Sequence, residues 1–365
     1  MKTIFVGDTS VSVKAKESFR RKETDILFTD VKDYMKDSDF TFVNLECVVT
    51  ECTESIKKFG PALSAPKGTV EILKELGVDL CGLSNNHTFD LGVKGIKDTI
   101  AALEEVGIDY TGWGKNYEDS RKDYIFEKDG EKICVINVCE HEYSYALENR
   151  MGARPYDEYD TMEDIRNAKA AADRVIVVYH GGKEHCRYPS PRLVRLCRAM
   201  ARCGADMVLC QHSHCIGCYE KYQDCHILYG QGNFHFLFDR HKDKPSWYTS
   251  LAVKYDTKTN EVEFTPIRMH DTGIALAKGD DKREIMEAFE ARNAELQNGA
   301  WRQGWHDFCV SMSEHYIGVI GEAGLPESTE EQNAYFGHML DCEAHTDVWR
   351  ELFPTWNQTN CLGEE

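Results

Sequence analysis

The sequence predicts an α/β fold in which helices cover a mostly parallel β-sheet. Short runs of apolar and β-branched residues alternate with longer segments whose apolar residues recur at helical spacing. Buried parallel strands are nearly continuous apolar runs, and the helices between them provide the crossover connections. With 365 residues, 42% of them hydrophobic, the chain is long enough for one large domain or two ordinary ones.

The individual elements follow from these patterns in chain order. Seven apolar runs predict buried strands, at residues 3–6, 40–44, 80–84, 132–139, 174–180, 207–211 and 226–230. Four segments between them predict helices, at residues 70–76, 93–106, 162–172 and 190–203. Pro191 supports the last of these helices, because the first turn of a helix tolerates proline.

A different pattern begins near Ser246. Residues 248–255 and 262–269 predict a β-hairpin, and residues 282–297 predict a charged helix. We therefore predict a main domain over residues 1–270 and a mainly helical C-terminal extension, residues 271–365, packed on it. The extension contains four tryptophans, which anchor helices on a host domain or form a platform for a substrate: Trp301, Trp305, Trp349 and Trp356.

The net charge of −19 and the pI near 5.2 oppose binding to nucleic acid or to an anionic membrane surface. An anionic substrate would therefore need a locally positive group, such as a metal ion. The first residues lack the apolar core of a signal peptide, and no window has the ~18 consecutive apolar residues of a membrane-spanning helix. These features predict a protein without a membrane partner that stays in the cytoplasm.

The chain has 15 cysteines, most of them single residues within apolar runs. This distribution is typical of unpaired structural thiols in a reducing compartment. Cys215 and Cys218 have the two-residue spacing of a zinc or redox motif, so a separate structural zinc site stays open.

Polar residues that can bind metals follow five of the predicted strands. In open α/β sheets, ligands bind at the carboxyl ends of the strands, so these side chains are expected to meet. Carboxylate, amide and imidazole groups suit one or two Mn, Fe, Zn or Mg ions. The residues in question are Asp8; Asn44 and Glu46; Asn85, Asn86, His87 and Asp90; His180 and Glu184; and His212 and His214.

These motifs resemble those of the bacterial capsule synthesis protein CapA (poly-γ-glutamate) family, within the calcineurin-like metallophosphoesterase superfamily. The resemblance covers about residues 1–240 and implies a four-layer α/β/β/α sandwich with a metal site at one edge of the paired sheets. It is carried by Gly7-Asp8, Asn44-Leu45-Glu46, Asn85-Asn86-His87, His180-Gly181-Gly182-Lys183-Glu184, His212-Ser213-His214 and Gly232-Asn233-Phe234.

The resemblance also implies a role for each site residue. Asp8 and His214 would bind one metal, and Glu46 would bridge to a second metal. The ligands of that second metal would be Asn86, His180 and His212. His87 would protonate the leaving group or bind the transition state, and the residues that orient histidines or contact substrate would be Asp90 and Glu184.

One departure from the superfamily pattern concerns the first metal. Ser10 stands where calcineurin-like phosphatases usually have a histidine, so the first metal loses a ligand and a single-metal site stays open. The leading hypothesis is a metal-dependent hydrolase of a phosphoester or a γ-glutamyl amide, with an anionic small molecule or polymer as substrate. The alternative is a non-catalytic accessory protein of capsule biosynthesis that binds an anionic polymer. Three basic residues could balance substrate charge: Lys57, Lys58 and Arg187.

Overall fold

Two β-sheets lie face to face in the computed structural model, which describes residues 1–354. The strands within this range are β1 Lys2–Thr9, β2 Phe40–Leu45, β3 Val48–Val49, β4 Ser64–Ala65, β5 Leu80–Gly82, β6 Asp109–Thr111, β7 Trp113–Gly114, β8 Tyr124–Lys128, β9 Glu131–Cys139, β10 Gly152–Ala153, β11 Arg174–His180, β12 Met207–Gln211, β13 Tyr219–Tyr222, β14 Cys225–Leu228, β15 Asn233–His235, β16 Thr249–Asp256, β17 Glu261–His270 and β18 Gly273–Leu276.

Helices cover both outer faces of these sheets. The α-helices are α1 Lys16–Arg20, α2 Thr24–Phe28, α3 Val31–Lys36, α4 Gly68–Glu75, α5 Gly92–Val106, α6 Tyr117–Ser120, α7 Asp160–Ala171, α8 Pro191–Cys203, α9 Gly279–Asn298, α10 Trp301–Ser311, α11 Ser313–Glu322, α12 Glu330–Asp341 and α13 Glu343–Leu352. Two short 3₁₀ helices lie at Asp239–His241 and Pro245–Tyr248.

The two sheets are each built around parallel strands. The first has the order β18-β17-β16-β1-β2-β5-β6, with β15 also paired to β1, and the second has the order β13-β14-β12-β11-β9-β8. Strands β1, β2, β5 and β6 are parallel, as are β9, β11, β12 and β14. All seven predicted strands and the predicted hairpin, now β16 and β17, are present.

The apolar residues of the strands separate into three cores because successive side chains point to opposite faces. Phe5 of the first sheet and Val135 of the second pack in the core between the sheets. Their neighbours point outward: Ile4 packs against helices α1 to α5, and Ile136 packs against α7 and α8. This arrangement confirms the four-layer α/β/β/α sandwich.

The chain after the sandwich is helical, as the sequence predicts. Strand β18 is the edge of the first sheet and carries the sandwich past residue 270, and helices α9 to α13 follow. Trp305, Tyr316 and Val348 of these helices share the core that covers the second sheet. The division into two domains stays a prediction, and Trp356 lies outside the described residues.

The fourteen cysteines within residues 1–354 are free thiols. Cys215 and Cys218 donate to the backbone carbonyls of Cys186 and Arg187, and no potential metal cluster in this range contains a cysteine. None of the helices in the described part combines the length and apolar character needed to cross a membrane.

Trp305→Ala tests how strongly the C-terminal helices are held to the sandwich. Trp305 is 1% exposed, so its truncation leaves a cavity in the core shared with α8. We expect the free energy of unfolding to fall by about 3–5 kcal/mol, measured by urea denaturation followed by circular dichroism. The control is Val310→Ala on the same helix, where the side chain is 49% exposed and the change should stay within about 0.5 kcal/mol. Equal urea midpoints for Trp305→Ala and Val310→Ala would contradict the packing of Trp305 in this core.

Candidate metal centre

Polar residues from five strand ends meet at one edge of the paired sheets. Asp8 ends β1, Glu46 follows β2, and Asn86 lies in the loop after β5. From the second sheet, His180 ends β11, and the His212-Ser213-His214 segment follows β12. All six predicted metal ligands are buried and lie in this one cluster. The strand-end pattern therefore locates the cluster, while the ligand role of each residue stays a prediction.

Glu46 lies at the centre of the cluster, surrounded by three histidines. Its Oε1 lies 3.5 Å from His180 Nε2, 3.9 Å from His214 Nε2 and 4.0 Å from His87 Nε2. Within residues 1–354, neither carboxylate oxygen of Glu46 accepts a hydrogen bond, although both are buried. A buried carboxylate without a partner is costly, so this donor set fits a bound cation.

Asp8 is the second buried carboxylate of the cluster. It accepts hydrogen bonds from Asn44 Nδ2 at 2.7 Å and from the His212 backbone N–H at 3.0 Å, and it lies 3.4 Å from His214 Nδ1. Burial raises the pKa of Asp8, but the hydrogen bond to His214 and the charge of His180 outweigh that effect and lower it. The carboxylate is therefore ionised at neutral pH.

Asn86 and His212 both contact Glu142, a residue that the sequence did not single out. Asn86 Nδ2 donates to Glu142 Oε2 at 2.9 Å, which directs Asn86 Oδ1 to within 3.1 Å of His180 Nε2. His212 Nε2 lies 3.3 Å from Glu142 Oε1, and His212 Nδ1 is buried without a partner in the described part of the chain. An amide oxygen and imidazole nitrogens thus surround the Glu46 carboxylate.

The carboxylates make this space favourable for positive charge. Burial lowers the pKa of His212, but the charge and hydrogen bond of Glu142 outweigh burial and raise it to about 10. For His214, burial again lowers the pKa, and Glu46 and Asp8 raise it to about 9. Because a divalent ion and a ring proton compete for the same nitrogen, an environment that favours imidazolium also favours a bound cation.

His87 is held by a carboxylate and a lysine. Asp90 Oδ2 lies 2.6 Å from His87 Nδ1, and Asp90 also accepts hydrogen bonds from Lys58 Nζ and from the Leu63 backbone N–H. Burial raises the pKa of Asp90, but the charges of His87 and Lys58 outweigh it and lower the pKa. The ionised Asp90 therefore fixes the ring so that Nε2 faces Glu46.

The other predicted site residues lie further out. Glu184 Oε1 lies 4.0 Å from His214 Nε2, and the Glu184 side chain is 40% exposed. Of the three basic residues proposed to balance substrate charge, Lys58 contacts the site. Lys57 pairs with a glutamate at the surface, and Arg187 lines a different cavity.

The backbone of the site requires unusual conformations at a few positions. A Cβ on Gly7 would collide with the Gly232 carbonyl oxygen, so glycine allows β1 and β15 to approach next to Asp8. His212 and His214 have φ angles of 75° and 53°, in the left-handed region that non-glycine residues rarely occupy. Strain of this kind persists where the surroundings enforce it, and here it directs both rings into the cluster.

Glu142, His338 and His345 are site residues that the sequence reasoning missed. Glu142 follows β9, so the strand-end signal that located the other residues could have located it as well. His338 and His345 come from α12 and α13, where no strand end marks them. Together the three form a group whose ligand atoms lie within 4.8 Å of one another, like the groups around Glu46.

A cavity of about 480 Å³ opens onto this edge. Its lining includes Asn86, His87 and His212 together with the basic side chains of Lys183 and Arg240. The space is therefore large enough for part of a ligand, and its walls combine these basic groups with the carboxylates of Glu142, Glu184 and Glu331.

Two packed sheets between helical layers, with carboxylate, amide and imidazole groups at the strand ends, define a metallophosphoesterase-like protein. Residues 2–238 match the family described as "Bacterial capsule synthesis protein PGA_cap", and the chain belongs to this family.

Similar proteins of known name come from two Bacillus species. "Capsule biosynthesis protein CapA" of Bacillus anthracis is 31% identical over 282 residues, which are 74% of this chain and 64% of that protein. "PGA biosynthesis protein CapA" of Bacillus subtilis (strain 168) is 30% identical over 289 residues, which are 77% of this chain and 74% of that protein. A solved structure of a hypothetical protein from Thermus thermophilus aligns with a TM-score of 0.45 and 15% identity, over 76% of this chain and 100% of that one.

Glu46→Gln tests the metal centre with little change in shape. The substitution removes the unpaired charge, so we expect the purified protein to lose at least one equivalent of divalent metal, measured by elemental analysis. Metal at 100 times its dissociation constant should raise the free energy of unfolding of the wild type by about 2.7 kcal/mol relative to the metal-free protein. This increase should be smaller in the variant. The control is Glu163→Gln on the exposed face of α7. Wild-type metal content in Glu46→Gln would contradict the assignment.

Proposed function

We propose that the chain is a metal-dependent hydrolase that acts on a phosphoester or a γ-glutamyl amide bond of an anionic substrate. The observation that carries this proposal is the buried Glu46 carboxylate, which accepts no hydrogen bond within residues 1–354 and has His180 Nε2 at 3.5 Å and His214 Nε2 at 3.9 Å. Burying such a group is unfavourable unless a cation is present, and the surrounding donors are those that bind divalent metals in hydrolytic sites.

The residues around Glu46 would form two sets of ligands. Asp8 and His214 would hold one ion, and Glu46 lies between this pair and the set formed by Asn86, His180 and His212. Mn, Fe, Zn or Mg would fit these oxygen and nitrogen donors. A divalent ion bound here would lower the pKa of a water molecule and polarise the scissile group.

The ligand set of Asp8 and His214 lacks the imidazole that calcineurin-like phosphatases usually have at the position of Ser10. Ser10, two residues after Asp8, has a buried hydroxyl that makes no hydrogen bond in the described part of the chain. A hydroxyl is a weaker metal donor than the imidazole usual at this position, so the set of Asp8 and His214 depends more heavily on Glu46. Occupancy by a single ion is therefore compatible with the proposed hydrolysis.

His87 is proposed as the proton donor to the leaving group. Asp90 binds Nδ1 of the ring at 2.6 Å and fixes its orientation, while Nε2 faces the cluster 4.0 Å from Glu46 Oε1. A proton on Nε2 could pass to an ester oxygen or to an amide nitrogen as the bond breaks. Lys58 holds Asp90 in place, so it positions His87 indirectly.

The substrate is proposed to be anionic because basic groups line the cavity beside the cluster. Lys58, Lys183 and Arg240 all contribute to its walls. The two Bacillus relatives are named for capsule and PGA biosynthesis, which makes a γ-linked polyglutamate, with one free carboxylate per residue, the first polymer to test. The charge of −19 leads us to propose no nucleic-acid partner, and the free thiols of the described residues support a reducing, cytoplasmic location.

His87→Asn tests the proposed proton donor. Asparagine keeps a polar side chain of similar reach but cannot deliver a proton, so we expect kcat to fall by about 10²–10⁴-fold with bound metal unchanged. The measurement is turnover of a panel of phosphoesters and of γ-glutamyl polymer by the metal-loaded protein. His270→Gln, at an exposed position in β17, is the control and should keep wild-type turnover.

Two results would go against this function. Wild-type kcat in His87→Asn would remove His87 from the reaction. Tight binding of the γ-glutamyl polymer by metal-loaded wild type, with no turnover of any substrate in the panel, would instead support the accessory role in capsule biosynthesis.

A further inference from the structure

The C-terminal helices bring two histidines to the cavity beside the metal centre. His338 lies in α12 and His345 in α13, and both face Glu142 from the loop after β9. We propose that Glu142, His338 and His345 form an additional zinc site, adjacent to the cluster around Glu46. This inference does not depend on the proposed hydrolysis.

The three side chains have the spacing that a single ion requires. One ligand atom from each lies within 4.8 Å of the other two. The rings of His338 and His345 have centroids 5.0 Å apart and an interplanar angle of 74°, so the two rings are in edge-to-face contact. Glu142 and His345 are 6% and 8% exposed, which limits competition from bulk water.

Neighbouring residues orient both rings. The Tyr316 hydroxyl oxygen lies 2.7 Å from His345 Nδ1, so a proton on Nδ1 would be donated to Tyr316 and would leave the Nε2 lone pair for a metal. His338 stacks on Tyr143, with ring centroids 4.5 Å apart. Metal-binding histidines are commonly fixed by a hydrogen bond at the nitrogen that does not bind the metal.

Glu142 is likewise held in one position. Its Oε2 accepts a hydrogen bond from Asn86 Nδ2 at 2.9 Å, and its Oε1 accepts one from the Cys342 thiol at 3.3 Å. His212 Nε2, from the cluster around Glu46, lies 3.3 Å from the same Oε1. The carboxylate therefore stands between the two clusters, and the proposed site adjoins the first one.

The sequence of the helix junction fits this assignment. Cys342 alone separates α12, which ends at Asp341, from α13, which begins at Glu343, so the helix is interrupted between His338 and His345. These residues lie outside the 2–238 range that matches the family. The proposed site is thus a feature that the C-terminal helices add to this chain.

The donor set points to zinc and to a role in binding a ligand. Two imidazoles and one carboxylate are typical of zinc sites that keep a position open for water or substrate. All three residues line the cavity of about 480 Å³, so the open position would face it. An anionic oxygen, from a carboxylate or a phosphate group, is the ligand chemistry that suits such a position.

Zinc titration of the full-length, chelator-stripped protein tests the site. With zinc chloride as the probe, we expect the wild type to bind one more equivalent than His338→Gln or His345→Gln. Loss of one of three ligands should lower the affinity for this zinc ion by more than about 100-fold. Even the loss of a residue that hydrogen-bonds to a ligand lowers metal affinity by about 10–100-fold. Cobalt(II) substitution should give a visible absorption band that is weaker in both variants than in the wild type.

Two further variants separate this site from the first cluster. Glu46→Gln should keep the zinc equivalent that His338→Gln loses, so each proposal can fail without the other. His270→Gln, at the surface, should bind like the wild type. His338 is only partly buried, so His338→Gln is expected to fold. If His345→Gln does not fold, His338→Gln alone tests the site. Thermal unfolding of the metal-free protein shows whether each variant is folded. The proposal would be overturned if His338→Gln bound as many zinc equivalents as the wild type. It would also be overturned if Glu46→Gln lost all the zinc that the wild type binds.

Discussion

The buried negative charge at one edge of the two sheets is the constraint on which the site depends. Asp8 and Glu46 are fully buried, and the Glu46 oxygens have no hydrogen-bond partner among the described residues. An isolated buried carboxylate costs several kcal/mol even after the protein relaxes around it. The strand ends offset this cost by bringing imidazoles around the carboxylates, and a bound cation would complete the compensation. That cation would also reverse the sign of the potential locally, in a chain whose net charge is −19.

Much of the sandwich could be predicted from local pattern. Each predicted strand is a run of apolar residues buried on both faces, and β9 and β11 show this over most of their length. The division of these strands between two sheets could not be read from such runs, because periodicity identifies a strand without identifying its partner. The four-layer arrangement came from the family resemblance instead. The hairpin of β16 and β17 was accessible because its strands adjoin in sequence, whereas the pairing of β16 with β1 joins residues about 250 apart.

The site was predictable for a related reason. Parallel strands place their carboxyl ends at one edge, so polar residues that follow apolar runs converge without any need to know the strand order. Glu142 belongs to the same class, since it follows the end of β9. His338 and His345 are different, because a histidine on an amphipathic helix is equally compatible with solvent, core or ligand. Only the packing of α12 and α13 against the sandwich decides where these rings lie.

The contacts of Glu142 connect the part of the chain shared with the family to the part that is not. On one side it holds Asn86 and approaches His212, both within residues 2–238. On the other side it meets helices that also wall the cavity. Because one carboxylate serves both groups, charge added on either side changes the field felt by the other. Recognition of a substrate would then depend on the C-terminal helices, while the strand-end cluster would supply the proposed chemistry.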